Sequence, residues 1–170
     1  MHERPEVADT DVLTEVRRSW HAGIDDVSYL PVGFGAHHWT AYAEGAPQLF
    51  VTYDPTAGAD AYADLRAAYE GAVALRDEGL EFVLAPLVGR GGVPLVPFAG
   101  GALTCTPWRD GTSEWPLDVA WTRDALRRLH ATEPPPGLRR WKPRVGPAFA
   151  ETLSALTHRS DTSTCARIIP

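Results

Sequence analysis

The chain contains no asparagine, and Lys142 is its only lysine among 170 residues. These two absences exclude any site that depends on an asparagine ligand and leave a single ammonium group for chemistry that needs one. The two cysteines, Cys105 and Cys165, show no Cys-x-x-Cys spacing, which excludes a zinc knuckle and a thioredoxin motif. This use of cysteine fits a reducing compartment.

Long apolar runs are also absent. No stretch approaches the ~20 apolar residues that a membrane-spanning helix requires. The first thirty residues are rich in carboxylates and lack the apolar core of a signal peptide. We therefore expect a cytoplasmic protein with no membrane partner.

Positive charge is in the minority, with 16 Lys and Arg against 22 Asp and Glu, a formal net charge of −6 and a pI near 5.4. A nucleic-acid backbone would be repelled on average, so we expect no nucleic-acid partner. A basic cluster at residues 139–144 surrounds Trp141, but so short a run is more typical of a solvated loop than of a binding patch.

The composition itself is that of a folded domain, with 44% hydrophobic and 22% charged residues. The first element is an amphipathic helix, which Asp9 or Thr10 would cap and Gly23 would end. Its apolar face consists of Val12, Leu13, Val16 and Trp20.

The next segments predict a sheet. Stretches rich in β-branched and aromatic residues at 27–32, 39–43 and 49–53 alternate with turns at 33–35 and 44–47, which indicates three antiparallel strands. A helix over residues 57–78 would end at Gly79. Two strands, 82–88 and 93–98, would then flank a glycine-rich hairpin turn at 89–92, before a last short strand at 102–106. The prolines at Pro86, Pro94 and Pro97 favour edge or bulge positions there.

Beyond residue 110 the pattern becomes helical, at 117–131 and 147–156, with a stiff connector of three prolines at 134–136. The tail, 158–170, follows no helical or strand period. We therefore predict an α+β fold with three parts: 1–110 as a lobe with an antiparallel sheet of about five strands plus a helix, 111–157 as the start of a helical lobe, and 158–170 as a frayed tail.

The serial order of these elements is that of the small lobe of protein-kinase-like phosphotransferases. Four segments together resemble the aminoglycoside phosphotransferase family, especially its spectinomycin-phosphotransferase-like branch. The resemblance covers residues 12–155 and only the first half of a family member. The matching segments are 29–39, 49–52, 75–83 and 126–130.

The resemblance implies an ATP-dependent kinase for a hydroxyl of an aminoglycoside-like or other small molecule. The glycine-rich turn would approach nucleotide phosphates through backbone N–H groups. Its residues are Gly33, Phe34, Gly35, Ala36 and His37, and His38 could add a donor in place of His37. The plainer alternative is an ordinary hairpin turn whose two imidazoles are solvated.

The resemblance also implies a lysine on the third strand, held by a glutamate of the following helix, to orient the phosphates. Thr52 occupies the lysine position here, and Glu70 is the candidate carboxylate. Without a lysine to pair with, Glu70 can equally be a solvated surface residue.

The hinge that would bracket an adenine edge corresponds to residues 104–108, including Thr106 and Trp108, with Phe50 and Val32 as apolar walls. The alternative is a strand that simply ends in a loop. His130, beside a leucine-bearing helix face, is more typical of a packed or capping residue than of a catalytic one.

Family members complete their site with a His-x-Asp-x-x-x-x-Asn loop and a later aspartate that hold Mg²⁺ and orient the acceptor. None of the six histidines here is followed by aspartate two residues on, and asparagine is absent. We therefore expect ATP as the ligand, no Mg²⁺ ligands, and no useful kinase activity from this chain. A shifted reading frame or an early stop near residue 157 would explain the abrupt loss of pattern.

Two other functions remain open: a non-catalytic module that binds a nucleotide or a protein, as in a pseudokinase, and an inert gene fragment. Thr52 in place of lysine favours the module. Helices of the second lobe without their packing partners would expose apolar faces, so we also expect self-association.

Overall fold

A computed structural model describes residues 4–33, 35–111 and 118–137. The chain divides into two compact units, 1–139 and 140–170, and all described residues lie in the first. The predicted helix at 147–156 and the tail at 158–170 lie outside the described residues.

The described elements are three helices and five strands. The helices are α1 (Asp9–Ser19), α2 (Ala59–Asp77) and α3 (Val119–Ala131). The strands are β1 (Asp26–Leu30), β2 (His37–Ala43), β3 (Ala46–Pro55), β4 (Leu95–Phe98) and β5 (Gly101–Pro107).

The five strands form one antiparallel sheet in the order β1-β2-β3-β5-β4. The predicted α+β architecture, a sheet of about five strands with a helix after the third, is confirmed. β4 and β1 are the edges, and Pro97 lies in β4, where the missing N–H disrupts no central ladder.

The main hydrophobic core lies between α1 and one face of the sheet. Val12 and Val16 of α1 are fully buried against a cluster that includes Trp39, Val51 and Cys105. Successive side chains of a strand point to opposite faces, so this core takes every second residue of β2 and β3. The other face of the sheet is left for a different set of side chains.

The start of α1 differs from the prediction that Asp9 or Thr10 caps it. The N-cap is Ala8, with no capping side chain, and Asp9 is the first helical residue. The Asp9 carboxylate instead accepts a hydrogen bond from Trp39 Nε1 at 2.7 Å and pairs with Arg4. The prediction that Asp9 caps the helix was therefore wrong. The Asp9 carboxylate still stabilises the start of α1, because a negative charge in the first turn interacts favourably with the helix dipole. The predicted end at Gly23 was also wrong, because α1 ends at Ser19.

The predicted strand at 82–88 is absent. Only Leu87 joins the sheet there, with its N–H donating to the Cys105 carbonyl at 2.7 Å. Pro86 has no N–H, and Arg76 binds the carbonyls of Glu81 and Val83 at 3.1 and 2.9 Å, so those groups are not available to a ladder.

The hairpin before β5 also turns at a different place. The predicted turn at 89–92 forms, with Gly89 N–H donating to the Val93 carbonyl, but it does not join two strands. The true β4–β5 turn is Ala99-Gly100, where both residues have positive φ. Two central residues at positive φ are typical of the tight hairpin turn whose twist matches the flanking strands.

Among the described residues, no helix has both the length and the apolar character to cross a membrane.

Gly101 at the start of β5 sets a steric limit on the sheet. An added Cβ would lie 2.2 Å from the Asp54 carbonyl oxygen, a backbone atom that cannot move without disturbing the β3–β5 pairing. We predict that Gly101→Ala lowers the free energy of unfolding by about 1–3 kcal/mol, as overpacking in a well-packed region does. Urea denaturation followed by circular dichroism measures this change.

The matched control is Gly111→Ala, because an added Cβ there meets nothing within 4 Å. Equal stability of the two variants would contradict the steric role of Gly101.

Candidate active site on the open sheet face

The sheet face opposite α1 carries a row of polar side chains at its centre. The register aligns His38 of β2 with Thr52 of β3, and Thr52 with Thr104 of β5. Asp54, two residues beyond Thr52, points to the same face because side chains alternate along a strand. This arrangement brings Thr52 together with His38, which was predicted as an alternative donor, and with Thr104, the first residue of the predicted hinge. Asp54 was not predicted from the sequence.

The glycine-rich turn links β1 to β2 above one end of this row. Gly33 and Gly35 both have positive φ, 84° and 80°, a backbone conformation that glycine adopts without a Cβ penalty. Ala36 is partly buried at the start of β2, whereas Phe34 lies outside the described residues. The turn has the conformational freedom that the phosphate-binding prediction required.

His38 lies directly under this turn. Its Nδ1 is 3.1 Å from Thr52 Oγ1, and its ring packs on Phe50 with the ring centroids 4.8 Å apart. An added Cβ on Gly33 would lie 2.8 Å from His38 Nε2, so the imidazole almost touches the turn. Burial, partly offset by the Asp54 carboxylate, lowers the pKa of His38 below its ordinary value.

The two adjacent histidines point to opposite faces of the sheet. His37, which the sequence prediction selected, stacks on Tyr53 and lies 3.4 Å from the Tyr29 hydroxyl, on the α1 side. Strand alternation alone could have separated the two, because Trp39 was the obvious core residue and His37 shares its parity.

α2 approaches the polar face through Tyr69 and not through Glu70. The Tyr69 hydroxyl donates to Asp54 Oδ2 at 2.8 Å and also forms a hydrogen bond with Thr104. Burial first, and then the Asp54 charge, raises the pKa of Tyr69, so its phenol stays a donor. Glu70 is exposed and pairs with Arg66 one helical turn earlier, at 2.7 Å. The structure therefore does not bring Glu70 to Thr52.

The predicted hinge, residues 104–108, includes the end of β5, which pairs with β3. Phe50 pairs with Thr106, whose hydroxyl lies 3.5 Å from the Phe50 carbonyl, and both side chains are partly buried on the polar face. The Trp108 N–H donates to the Gln48 carbonyl at 2.9 Å. A ligand edge at this hinge would therefore find the Trp108 amide already engaged.

A divalent metal does not fit the polar face as the described residues form it. Asp54 is the carboxylate in the row, and one of its oxygens already accepts from Tyr69. Within the described ranges, no three His, Cys, Asp or Glu side chains converge as metal ligands would.

The described elements together have the fold of a kinase-like small lobe. A five-stranded antiparallel sheet, a glycine turn between its first two strands and a helix after its third make up the small lobe of kinase-like phosphotransferases. A solved structure with this fold is spectinomycin phosphotransferase APH(9)-Ia in complex with ADP and spectinomycin, which matches with a TM-score of 0.66 and 12% sequence identity.

The match covers 90% of this chain but 47% of the phosphotransferase, so the chain spans about half the length of that protein. At 12% identity the likeness establishes the fold alone. This fold is the one that the sequence resemblance implied. No protein-family model matches the chain, and no curated protein sequence matches it.

Tyr69 links α2 to the polar face through its hydrogen bonds with Asp54 and Thr104. We predict that Tyr69→Phe lowers the free energy of unfolding by about 1–3 kcal/mol, because it leaves a partly buried carboxylate without its donor. Chemical denaturation followed by tryptophan fluorescence measures the loss.

Tyr62→Phe is the matched control, since Tyr62 lies two helical turns earlier on α2 and no hydrogen bond contributes to its raised pKa. If both substitutions had the same effect, the link between α2 and Asp54 would not contribute to stability.

Proposed function

We propose that the polar sheet face binds an adenine nucleotide, with its phosphates under the Gly33–Gly35 turn and its base toward Thr106 and Trp108. The observation that carries the proposal is the pair of positive-φ glycines above the His38–Thr52 pair, in a fold shared with a phosphotransferase that binds ADP. Backbone N–H groups in such a turn can approach phosphate oxygens closely. Phe50 would provide an apolar wall between the two ends of the nucleotide.

We further propose that the fold serves phosphoryl transfer to a hydroxyl of a small molecule, as in aminoglycoside-like substrates. Support comes from the solved neighbour, which binds spectinomycin together with ADP. The acceptor would be bound by a region equivalent to the half of that phosphotransferase that this chain does not match. Because such a protein needs ATP, we propose that it works in the cytoplasm.

The 170 residues by themselves are proposed to bind nucleotide without transferring phosphate. They contain no histidine followed two residues on by aspartate, and no asparagine to hold a magnesium ion. Losing a catalytic base alone typically costs 10²- to 10⁴-fold in rate. Thr52 at the lysine position supports the second candidate function, a non-catalytic nucleotide-binding module.

Calorimetric titration of the purified chain with ADP, with and without Mg²⁺, tests nucleotide binding. We predict saturable binding that Gly33→Val abolishes, because an added Cβ at Gly33 would collide with His38 and occupy the phosphate position. Little dependence on Mg²⁺ is expected, since the described residues form no metal site.

Gly45→Val is the matched control. Gly45 has a similar positive φ, 74°, in the β2–β3 turn, and an added Cβ there meets nothing within 4 Å. It therefore carries the same backbone strain but lies outside the proposed site. No ADP binding by the folded wild-type chain would overturn the proposed function and favour a protein-binding role or an inert fragment.

Self-association through α3 is proposed on the basis of its outer face. Ala125 is buried, but Val119 and Leu126 are 77% and 50% exposed and line one apolar groove with Thr122 and Arg123. An apolar strip of this kind on a helix is commonly covered by a second surface. A second copy of the chain is the proposed occupant.

Leu126→Glu places a charge in this apolar groove. We predict that it shifts the chain toward monomer, as measured by sedimentation velocity across a hundredfold range of concentration. Ala120→Glu, on the polar side of α3 with Asp124 and Arg127, adds the same charge outside the groove and should change nothing. A wild-type chain that is monomeric at all concentrations would contradict this proposal.

A further inference from the structure

We propose that His38 is the cationic phosphate-binding residue of this lobe, in place of a lysine at Thr52. This inference rests on the proposed nucleotide function and names the residue that would neutralise the phosphates. The ligand class is the phosphate chain of an adenine nucleotide.

His38 lies beside the Thr52 position on the polar face. His38 and Thr52 are register partners on neighbouring strands, so a group on either strand at this level reaches the same point on the polar face. A lysine on β3 would project from the Thr52 position, and the imidazole projects from the adjacent position on β2. The only lysine of the chain, Lys142, is 90 residues away in sequence and lies outside the described residues.

The contacts of the His38 ring fix its orientation. The Thr52 hydroxyl at 3.1 Å fixes Nδ1, and the Phe50 ring packs against the imidazole at 4.8 Å, which together direct Nε2 toward Gly33. A threonine hydroxyl both donates and accepts, so it can pair with Nδ1 whether or not that nitrogen carries a proton. When Nδ1 accepts from the Thr52 hydroxyl, and also in the imidazolium, Nε2 carries a proton and directs it at the turn.

The Nε2 atom of His38 is available to a ligand. Among the described residues, Nε2 of His38 has no hydrogen-bond partner, whereas Nδ1 has one. No buried side-chain nitrogen or oxygen in the described part of the chain lacks a partner, so Nε2 reaches solvent. An N–H donor that is held in place, open to solvent and under a glycine turn is suited to a phosphate oxygen.

The surrounding charges make this donor responsive to a ligand. The titratable groups that face His38 are its neighbour His37 on β2, Asp54 on β3 and, through Asp54, Tyr69 on α2; the glycine turn adds none. Burial is the largest influence and lowers the pKa of His38, so the free protein holds it mostly neutral at pH 7. Phosphate oxygens favour the charged imidazolium, so binding should raise that pKa and take up a proton.

Protonated His38 binds phosphate more tightly than neutral His38, so ADP affinity should fall as the pH rises between the free-state and bound-state pKa values of His38. The slope can reach tenfold per pH unit for one linked proton. The terminal phosphate of ADP itself titrates near pH 6, so only the difference between variants isolates His38.

The test is calorimetric titration of the full chain with ADP between pH 6 and 8, in two buffers of different ionisation enthalpy that report proton uptake directly. We predict that His38→Gln weakens ADP binding about tenfold or more at pH 6 and lowers the number of protons taken up per ADP relative to wild type. His130→Gln, which replaces an exposed histidine on α3, should leave both unchanged. Adenosine, which has no phosphates, should bind with equal affinity to all three proteins.

Adding Thr52→Lys to His38→Gln supplies a permanent cation at the paired position. This double variant should recover ADP affinity while its proton uptake stays at the level of His38→Gln. A two-dimensional spectrum of the wild-type imidazoles provides an independent readout, in which ADP, but not adenosine, should raise the pKa of His38.

Equal ADP affinity and equal proton uptake in wild type and His38→Gln would overturn the inference while leaving the proposed nucleotide function intact. So would a His38 pKa in the wild-type protein that ADP does not change. Absence of ADP binding at every pH would overturn both. These outcomes separate failure of the residue assignment from failure of the site.

Discussion

The antiparallel pairing of β2 with β3 is the constraint on which the rest of the structure depends. It aligns Trp39 with Val51 on one face and His38 with Thr52 on the other. Because side chains alternate along each strand, a single register supplies α1 with its buried apolar partners and the open face with its polar row. A slip of one residue would place His38 in the core and Trp39 in solvent, so the hydrophobic core and the candidate site specify each other.

The sequence predicted most of the fold because its strongest signals are local. The spacing of Val12 and Val16 identified the buried side of α1, and the strand-rich stretches identified β1 to β3 to within a few residues. The errors fell where a tertiary contact decides the outcome. Residues 82–88 have strand composition, but Arg76 of α2 binds the Val83 carbonyl, a contact of the folded chain that no periodicity reveals. The turn at Ala99-Gly100 was missed because a non-glycine residue occupies its first position of positive φ.

The site was predictable in part, and the limit has a physical origin. The glycine turn and Thr52 were found because turn chemistry and serial order are visible in sequence. The roles of the two histidines depend on strand parity, and the partner of α2 depends on which residue of the helix faces the sheet. Tyr69 reaches Asp54, whereas Glu70 lies one residue further around the helix and pairs with Arg66 in solvent. Tyr69, and not Glu70, therefore links α2 to the polar face.

Titration of a ¹⁵N-labelled chain with ADP, followed by two-dimensional NMR, determines whether ADP binds on the polar face of the sheet. We expect saturable shifts at Gly33, Gly35, Thr52 and Thr106, with little change in α1 or α3. Shifts centred on α1 or α3, or no shifts in a well-dispersed spectrum, would contradict it.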